Sequence, residues 1–107
     1  EIRRSYSIAE APGKGTIKVV VKEIKNGVFS SFANRQLRVG QVLEVSKPEG
    51  QFLLETDAHQ QRHYAAFVSG SGITPVMSMI ESVLEKEPNS TFVLIYGNKS
   101  PKQTIFY

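Results

Sequence analysis

The stretch Phe67-Val-Ser-Gly-Ser-Gly-Ile-Thr-Pro-Val76 holds the residue types and spacing most suited to chemistry. An apolar run ends in two glycines one residue apart, and a threonine and a proline follow. Gly70 and Gly72 permit backbone angles closed to other residues and let a ligand approach the main chain closely. Thr74 suits a helix cap and Pro75 the first helical position, where a missing N–H costs nothing. The first N–H groups and the positive dipole end of that helix would face an anion, most simply a pyrophosphate. Pro75 stands where the Gly-x-Gly-x-x-Gly fingerprint requires its third glycine, so the turn departs from the standard dinucleotide pattern.

Two further stretches carry similar chemistry. In Arg4-Ser-Tyr-Ser7 an arginine and an aromatic ring lie two apart, hence on one side of an extended strand. Arg4 has a fork that grips a phosphate with two bonds, Tyr6 a flat ring for stacking, and Ser7 a hydroxyl for a ring nitrogen. Strict alternation turns Ser7 away from Tyr6, so its use there requires a twist or a strand end. In Gly27-Val-Phe-Ser-Ser-Phe32 a glycine turn leads into a helix whose first N–H groups, with the Ser30 or Ser31 hydroxyl, would hold a second phosphate. Taken alone, the first motif also reads as an exposed edge strand and the second as an ordinary capped helix.

The elements that must position these residues change character along the chain. The first half reads as strands over residues 2–8, 16–24 and 41–46, with turns at Gly13-Lys-Gly15 and Asn26-Gly27. A short helix over 29–36, capped by Ser30 or Ser31, separates the last two, and Pro48-Glu-Gly50 closes the unit. After a polar stretch over 56–63, the unbroken apolar run 64–68 predicts a strand buried on both faces of a parallel sheet. A helix from 75 to about 87 follows, with Val76, Met77, Ile80, Val83 and Leu84 as its apolar stripe. Residues 91–96 form a second buried strand. This β–α–β unit predicts a right-handed crossover and a ligand site beyond the carboxyl ends of its strands. Ser100-Pro-Lys-Gln103 reads as a capping box opening one more helix. The fold class is therefore β followed by α/β. An incomplete antiparallel barrel occupies residues 1–61, and the first βαβ of a parallel-sheet nucleotide-binding domain occupies 62–107.

Composition excludes several alternatives. The formal charge of +3 is mild and its basic residues are scattered, which speaks against nucleic acid as a partner. With no cysteine among the 107 residues, the chain itself offers no disulfide, iron–sulfur ligand or thiolate zinc site. Asp57, His59 and His63 lie in a polar linker and supply too few ligands for a tetrahedral site, so no metal is expected. Gly70-Ser-Gly72 has the wrong spacing for a Gly-x-Ser-x-Gly nucleophile elbow. No apolar run reaches the length of a membrane span and no signal peptide is visible, from which a cytoplasmic location is expected. The chain opens in a strand-like run without a starting methionine and closes at Ile105-Phe-Tyr107 as a new element begins. It reads as an internal part of a longer protein.

The motifs also stand in a known order. Arg4-x-Tyr6-Ser7, Gly27-x-x-Ser30 before a short helix, Pro48-Glu-Gly50-x-Phe52, Gly70-x-Gly72-x-Thr74-Pro75 and Tyr96-Gly-Asn98 together resemble the ferredoxin–NADP reductase-like flavoproteins. Within them the likeness runs to the reductase component of phenylacetyl-CoA epoxidase and related oxygenase reductases. The resemblance implies an oxidoreductase that passes a hydride from NAD(P)H to FAD and electrons on to an iron–sulfur acceptor. That acceptor would be a ferredoxin or a fused 2Fe–2S domain, and an oxygenase component would stand downstream. Arg4 would hold the FAD pyrophosphate, Tyr6 would pack by the isoalloxazine and Ser7 would bond near flavin N5. Val20 and Lys22 would lie along the ribityl and phosphate chain, while Gly27, Val28, Ser30 and Ser31 complete the pyrophosphate site. Gly70, Gly72, Thr74 and Pro75 would receive the nicotinamide nucleotide, with Thr74 close to its ring. Lys99, just past the second parallel strand, would meet a 2′-phosphate. The absence of an acidic residue at that strand's end favours NADP, with NAD possible. Two rivals stay open: a subunit that holds FAD without nicotinamide turnover, and a non-catalytic domain fragment.

Overall fold

The computed structural model describes residues 2–106; Glu1 and Tyr107, the outer limits of the two expected units, lie outside the described residues. Strand β1 (His63–Ser69) pairs in parallel with β2 (Thr91–Gly97), from His63 opposite Thr91 to Ser69 opposite Gly97. Parallel neighbours need a long crossover, and helix α2 (Ile73–Lys86) supplies it. Ile73, Val76 and Val83 on α2 are buried, and Tyr64 stacks on its cross-strand neighbour Phe92 with ring centroids 5.7 Å apart.

Two expectations about this packing are corrected. The strands are not buried on both faces, because half-buried Tyr64, Ala66 and Val68 alternate with exposed Ala65 and Phe67. On β2, Val93 and Ile95 likewise face outward. An apolar run specifies a buried strand only when both of its faces are covered. Leu84, assigned to the apolar stripe, is 66% exposed, since the seam on α2 follows Ile73, Val76 and Val83 instead.

At the other edge of the pair, the residue that ends α2 organises its surroundings. Glu87 is 1% exposed. Its carboxylate accepts hydrogen bonds from the Tyr64 hydroxyl (2.9 Å), the Ser90 hydroxyl (2.8 Å) and the Asp57 N–H (3.1 Å). Arg62 joins the cluster, its N–H donating to Ser90 Oγ (3.0 Å) and its carbonyl accepting from the Thr91 N–H (2.9 Å). Burial pushes the Glu87 carboxyl up, but the bonds from Ser90, Asp57 and Tyr64 outweigh it, and the group titrates below the ordinary carboxylate range. The Tyr64 phenol is pushed up, by burial first and then by Glu87.

The first half is held by side chains more than by a ladder. The antiparallel pairing expected there reduces to one bridge, Ile8 with Val19. Residues 2–8, 16–24 and 41–46 form no ladder beyond it, and Val42 and Val45 are 92% and 84% exposed. A lone strand has nothing to gain from extension until a partner completes its hydrogen bonds. Helix α1 (Val28–Arg35) begins one residue before its expected start. Gly27, rather than Ser30 or Ser31, occupies the cap position, and no side chain caps the helix. Asn26 turns the chain at φ +64°, closing a Gly27 N–H bond to Ile24 O of 2.8 Å. Arg35 then grips Glu23 with two bonds of 2.8 and 3.0 Å, and Asn34 donates to Val21 O at 3.0 Å, seating α1 on the preceding extended segment. Past β2, the expected capping box does not form: Pro101–Gln103 makes a single 3-10 turn without a side-chain cap.

Because the folded Glu87 carboxyl is depressed, its contribution to stability is present above about pH 4.5 and is lost as pH falls through the folded value. Glu87→Gln is expected to lower the melting temperature at neutral pH and to flatten its fall on acidification. Thermal unfolding followed by circular dichroism at several pH values checks both; an unchanged acid limb would show that Glu87 does not carry it.

Candidate functional site

β1 runs into a 3-10 turn over Gly70–Gly72 that leads directly into α2. Gly70 adopts φ +56°, the left-handed region, with open space around the position of a Cβ; backbone angle rather than crowding calls for glycine there. Gly72 is the residue before the helix, so Thr74 and Pro75 stand second and third within it, a correction to their expected cap and first positions. Thr74 is buried and its Oγ1 donates to Ser71 O at 3.1 Å. Pro75 still costs no hydrogen bond, because the first four N–H groups of a helix have no partner within it. No side chain caps α2 and its first turn holds no acidic residue. The Ile73 N–H is already taken by the Gly70 and Ser71 carbonyls and Pro75 has none, so what the amino end presents at the carboxyl edge of the strands is chiefly the positive end of the helix dipole.

The segment after β2 shares that edge. Ser69 pairs with Gly97, which brings the glycine turn and the chain beyond Gly97 side by side. The Tyr96 hydroxyl donates to Ile105 O (2.9 Å) and lies 3.4 Å from the Gly70 carbonyl. Lys99 is exposed and lines a cleft of about 490 Å³ with Tyr96, Asn98, Ser100 and Thr104.

The second group gathers around α1. The half-buried Tyr6 ring packs on Phe29, the second residue of the helix, at 5.7 Å and 46°. Phe29 continues to Phe32 at 6.1 Å. These rings set the Arg4, Tyr6 and Ser7 motif beside the amino end of α1. Arg4 and Ser7 are exposed, and Arg4 Nη1 donates to the Arg3 carbonyl at 2.6 Å. A Cβ on Gly27 would lie 2.3 Å from Ser30 Oγ and 3.0 Å from Ile24 O, so glycine is required there by close approach. Ser30 is buried and its Oγ accepts the Ile24 N–H at 3.1 Å; its own proton is the only one it can offer a ligand. Ser31 lines a cleft of about 460 Å³ with Lys25, Asn26 and Arg35, and Val28 is exposed. Val20 is half-buried. Lys22 Nζ donates to Gln103 O at 3.2 Å, so its ammonium is engaged with the segment after β2.

Both helix starts thus lack a side-chain cap and an acidic first turn, and each follows a glycine, held by close approach at Gly27 and by backbone angle at Gly70. That donor set fits two phosphate-bearing ligands. Asp57, His59 and His63 do not converge: Asp57 Oδ1 accepts the His59 N–H (2.9 Å), while His63 Nδ1 faces Thr91 Oγ1 (2.7 Å). Sequence reasoning missed the contact of Phe29 with Tyr6 and the burial of Glu87. Only Phe29 had a legible signal, an aromatic one position inside a helix beside another ring.

Two family models match the chain in order, an oxidoreductase FAD-binding domain over residues 1–53 and an oxidoreductase NAD-binding domain over 67–107. Among curated relatives, one component of the 1,2-phenylacetyl-CoA epoxidase of Escherichia coli is 43% identical over 99% of this chain and 30% of its own length. A flavohemoprotein of Oceanobacillus iheyensis is 42% identical over 91% of this chain and 24% of its own. The ferredoxin reductase component of 3-ketosteroid-9-alpha-monooxygenase from Rhodococcus rhodochrous is 36% identical over 98% and 29%. The chain spans about a quarter to a third of the length of these relatives. No solved structure matches. The two domains in this order define the ferredoxin–NADP reductase-like oxidoreductases, and the chain belongs to them. Its cofactors are FAD and a nicotinamide nucleotide.

The glycines give a direct check on the geometry. Gly27→Ala is expected to destabilise the fold by about 1–3 kcal/mol through overpacking. Gly72→Ala, with αR backbone angles and an ordinary 3.5 Å contact to Val68, is expected to be neutral or stabilising by up to about 1 kcal/mol. Chemical denaturation of the two variants decides, and equal losses would refute the close approach at Gly27.

Proposed function

We propose that the chain is the cofactor-holding core of a flavin-dependent reductase of the ferredoxin–NADP reductase type, taking a hydride from NAD(P)H and passing electrons to an iron–sulfur acceptor. The observation that carries this reading is the pair of uncapped, acid-free helix starts, one beside Tyr6 and one at the carboxyl edge of β1 and β2. When bound, FAD supplies the redox chemistry, accepting a hydride at N5 and releasing electrons singly. The chain's own task is positional. Arg4 and the Gly27, Val28, Ser30 and Ser31 start of α1 hold one pyrophosphate, with Tyr6 and Ser7 toward the isoalloxazine and Val20 and Lys22 along its chain. Gly70, Gly72, Thr74 and Pro75 hold the second, with Thr74 toward the nicotinamide. Two such anchors would hold the two ligands in fixed register, as transfer between them requires. No general acid or base is required of these residues.

The finer features belong to the same reading. Residues 1–61 contribute to an antiparallel flavin-binding barrel and 62–107 open the nucleotide-binding domain. Lys99 favours NADP over NAD. The E. coli relative is part of an epoxidase and the Rhodococcus relative a ferredoxin reductase component of a monooxygenase, which supports an oxygenase system with an iron–sulfur carrier as the destination of the electrons.

A visible absorption and fluorescence titration with FAD, followed by anaerobic NADPH, tests the reading: bound flavin should bleach. Binding without bleaching would instead favour a subunit that holds FAD without nicotinamide turnover. Arg4→Ala is expected to weaken FAD about 10- to 100-fold, the range of a charge-assisted hydrogen bond, while FMN and riboflavin change little. Equal losses for all three flavins would remove Arg4 from the pyrophosphate. Lys99→Ala is expected to weaken NADPH by about two- to fivefold, as befits an exposed charge, and to spare NADH. Isothermal titration with both nucleotides measures the difference.

A further inference from the structure

One loop within the flavin-side residues is held to the helix that carries the nucleotide-side residues. Residues 9–16 lie between the Arg4, Tyr6 and Ser7 motif and the segment holding Val20 and Lys22. The Ile8–Val19 bridge and an Ala9 N–H bond to Lys18 O of 2.8 Å close the base of the loop. Its body is fixed on α2, with Ala9 and Ala11 2% and 1% exposed. Glu81 Oε2 accepts the Ala11 N–H at 2.9 Å and Lys14 Nζ at 3.2 Å. Lys14 also lies 3.8 Å from Glu85, one turn further along α2. Inside the loop, the Thr16 hydroxyl donates to buried Glu10 at 3.4 Å. Glu81 is about two turns along the helix from Thr74.

We infer that Glu81 is a positioning residue: by clamping loop 9–16 to α2 it sets the separation of the flavin-side residues from the nucleotide-side residues. The inference rests on the proposed function. Glu81 belongs to neither group, so its effect passes through the main chain. A bond to a backbone N–H fixes the loop itself, and the Lys14 ammonium adds a second, more exposed attachment to the same oxygen. A helix carries the constraint well, because displacing Glu81 relative to Ala11 displaces the amino end of α2 relative to Arg4, Tyr6 and Ser7. Reaction between two bound rings is steeply sensitive to such shifts, with about 1 Å costing roughly 100-fold.

Three variants separate the attachments. Glu81→Ala removes both, Glu81→Gln keeps an oxygen for the Ala11 N–H but drops the charge facing Lys14, and Lys14→Met removes only the cation. Far-UV circular dichroism establishes that each folds. Without cofactor, hydrogen–deuterium exchange at the Ala11 amide should accelerate in Glu81→Ala and stay protected in Glu81→Gln. With cofactors, FAD and NADPH affinities should be unchanged. The first-order bleaching of bound flavin by saturating NADPH should slow roughly 10- to 100-fold in Glu81→Ala. Glu81→Gln should recover most of that loss. Unchanged bleaching in Glu81→Ala beside normal bleaching in the unsubstituted protein overturns the positioning role alone. A rate loss matched by loss of FAD affinity also overturns it, because the variant would then have damaged a binding unit. Failure of the unsubstituted protein to bind FAD overturns the functional reading and the positioning role together.

Discussion

Two parallel strands cannot be joined by a tight turn, and the second half of the chain is built around that constraint. β1 must hand over to a crossover long enough to return the chain to its starting edge, and α2 is that crossover. Both strands then end on the same side. The glycine turn and the segment carrying Lys99 become neighbours there because Ser69 and Gly97 are partners in the register. Tyr96 closes the arrangement by reaching from the end of β2 toward both the Gly70 and Ile105 carbonyls.

The opposite edge has a different problem, a carboxylate out of reach of water. A buried charge is tolerated only when polar groups replace its hydration, and Glu87 obtains its partners from one neighbouring residue and two segments distant in sequence. Tyr64 comes from β1, Ser90 from the turn before β2 and the Asp57 N–H from the linker. The linker is thus tied to the sheet by hydrogen bonds rather than by apolar packing. Side chains take the same role in the first half, where ladder bonds are few: the Arg35–Glu23 fork, the Asn34 amide and the Tyr6–Phe29 contact hold α1 against the extended chain.

What was legible in the sequence follows from how local each cause is. The βαβ unit was legible because its strands are apolar runs and Val76 and Val83 recur at helical spacing. The start of α2 was misplaced by two residues because a 3-10 turn runs straight into the helix, and Thr74 and Pro75 sit as comfortably inside the first turn as at its edge. Ser100 lacked the continuing helix that a capping box needs. The run of β-favouring residues around Val42 and Val45 announces a strand but not its partner, so it could not report that both would be exposed. Glu87 was unreadable for the same reason: a charged residue before Pro88 looks like a helix end, and its burial depends in part on Tyr64 and Asp57, many residues away. The two helix starts proposed to bind phosphate were legible as glycines ahead of helices. That Gly70 is required by backbone angle and Gly27 by contact with Ser30 could be learned only from three-dimensional neighbours.

This division between main chain and side chain bears on how the proposed site would distinguish its ligands. Both proposed phosphate anchors would rely largely on helix starts, which recognise an anion and say little about the rest of the molecule. Beyond the charges of Arg4 and Lys99, selectivity would then fall to hydroxyls, whose capacity is already partly spent. Thr74 donates its proton to Ser71 O, leaving Oγ1 with acceptor capacity only. In the proposed role it therefore meets a donor, as the amide N–H₂ of a nicotinamide is, and has nothing to offer an acceptor. Ser30 is the converse case. Its oxygen already accepts the Ile24 N–H, and it retains a proton to give, which matches a phosphate oxygen. Two hydroxyls of similar chemistry are thereby set to opposite tasks by the backbone group each has engaged.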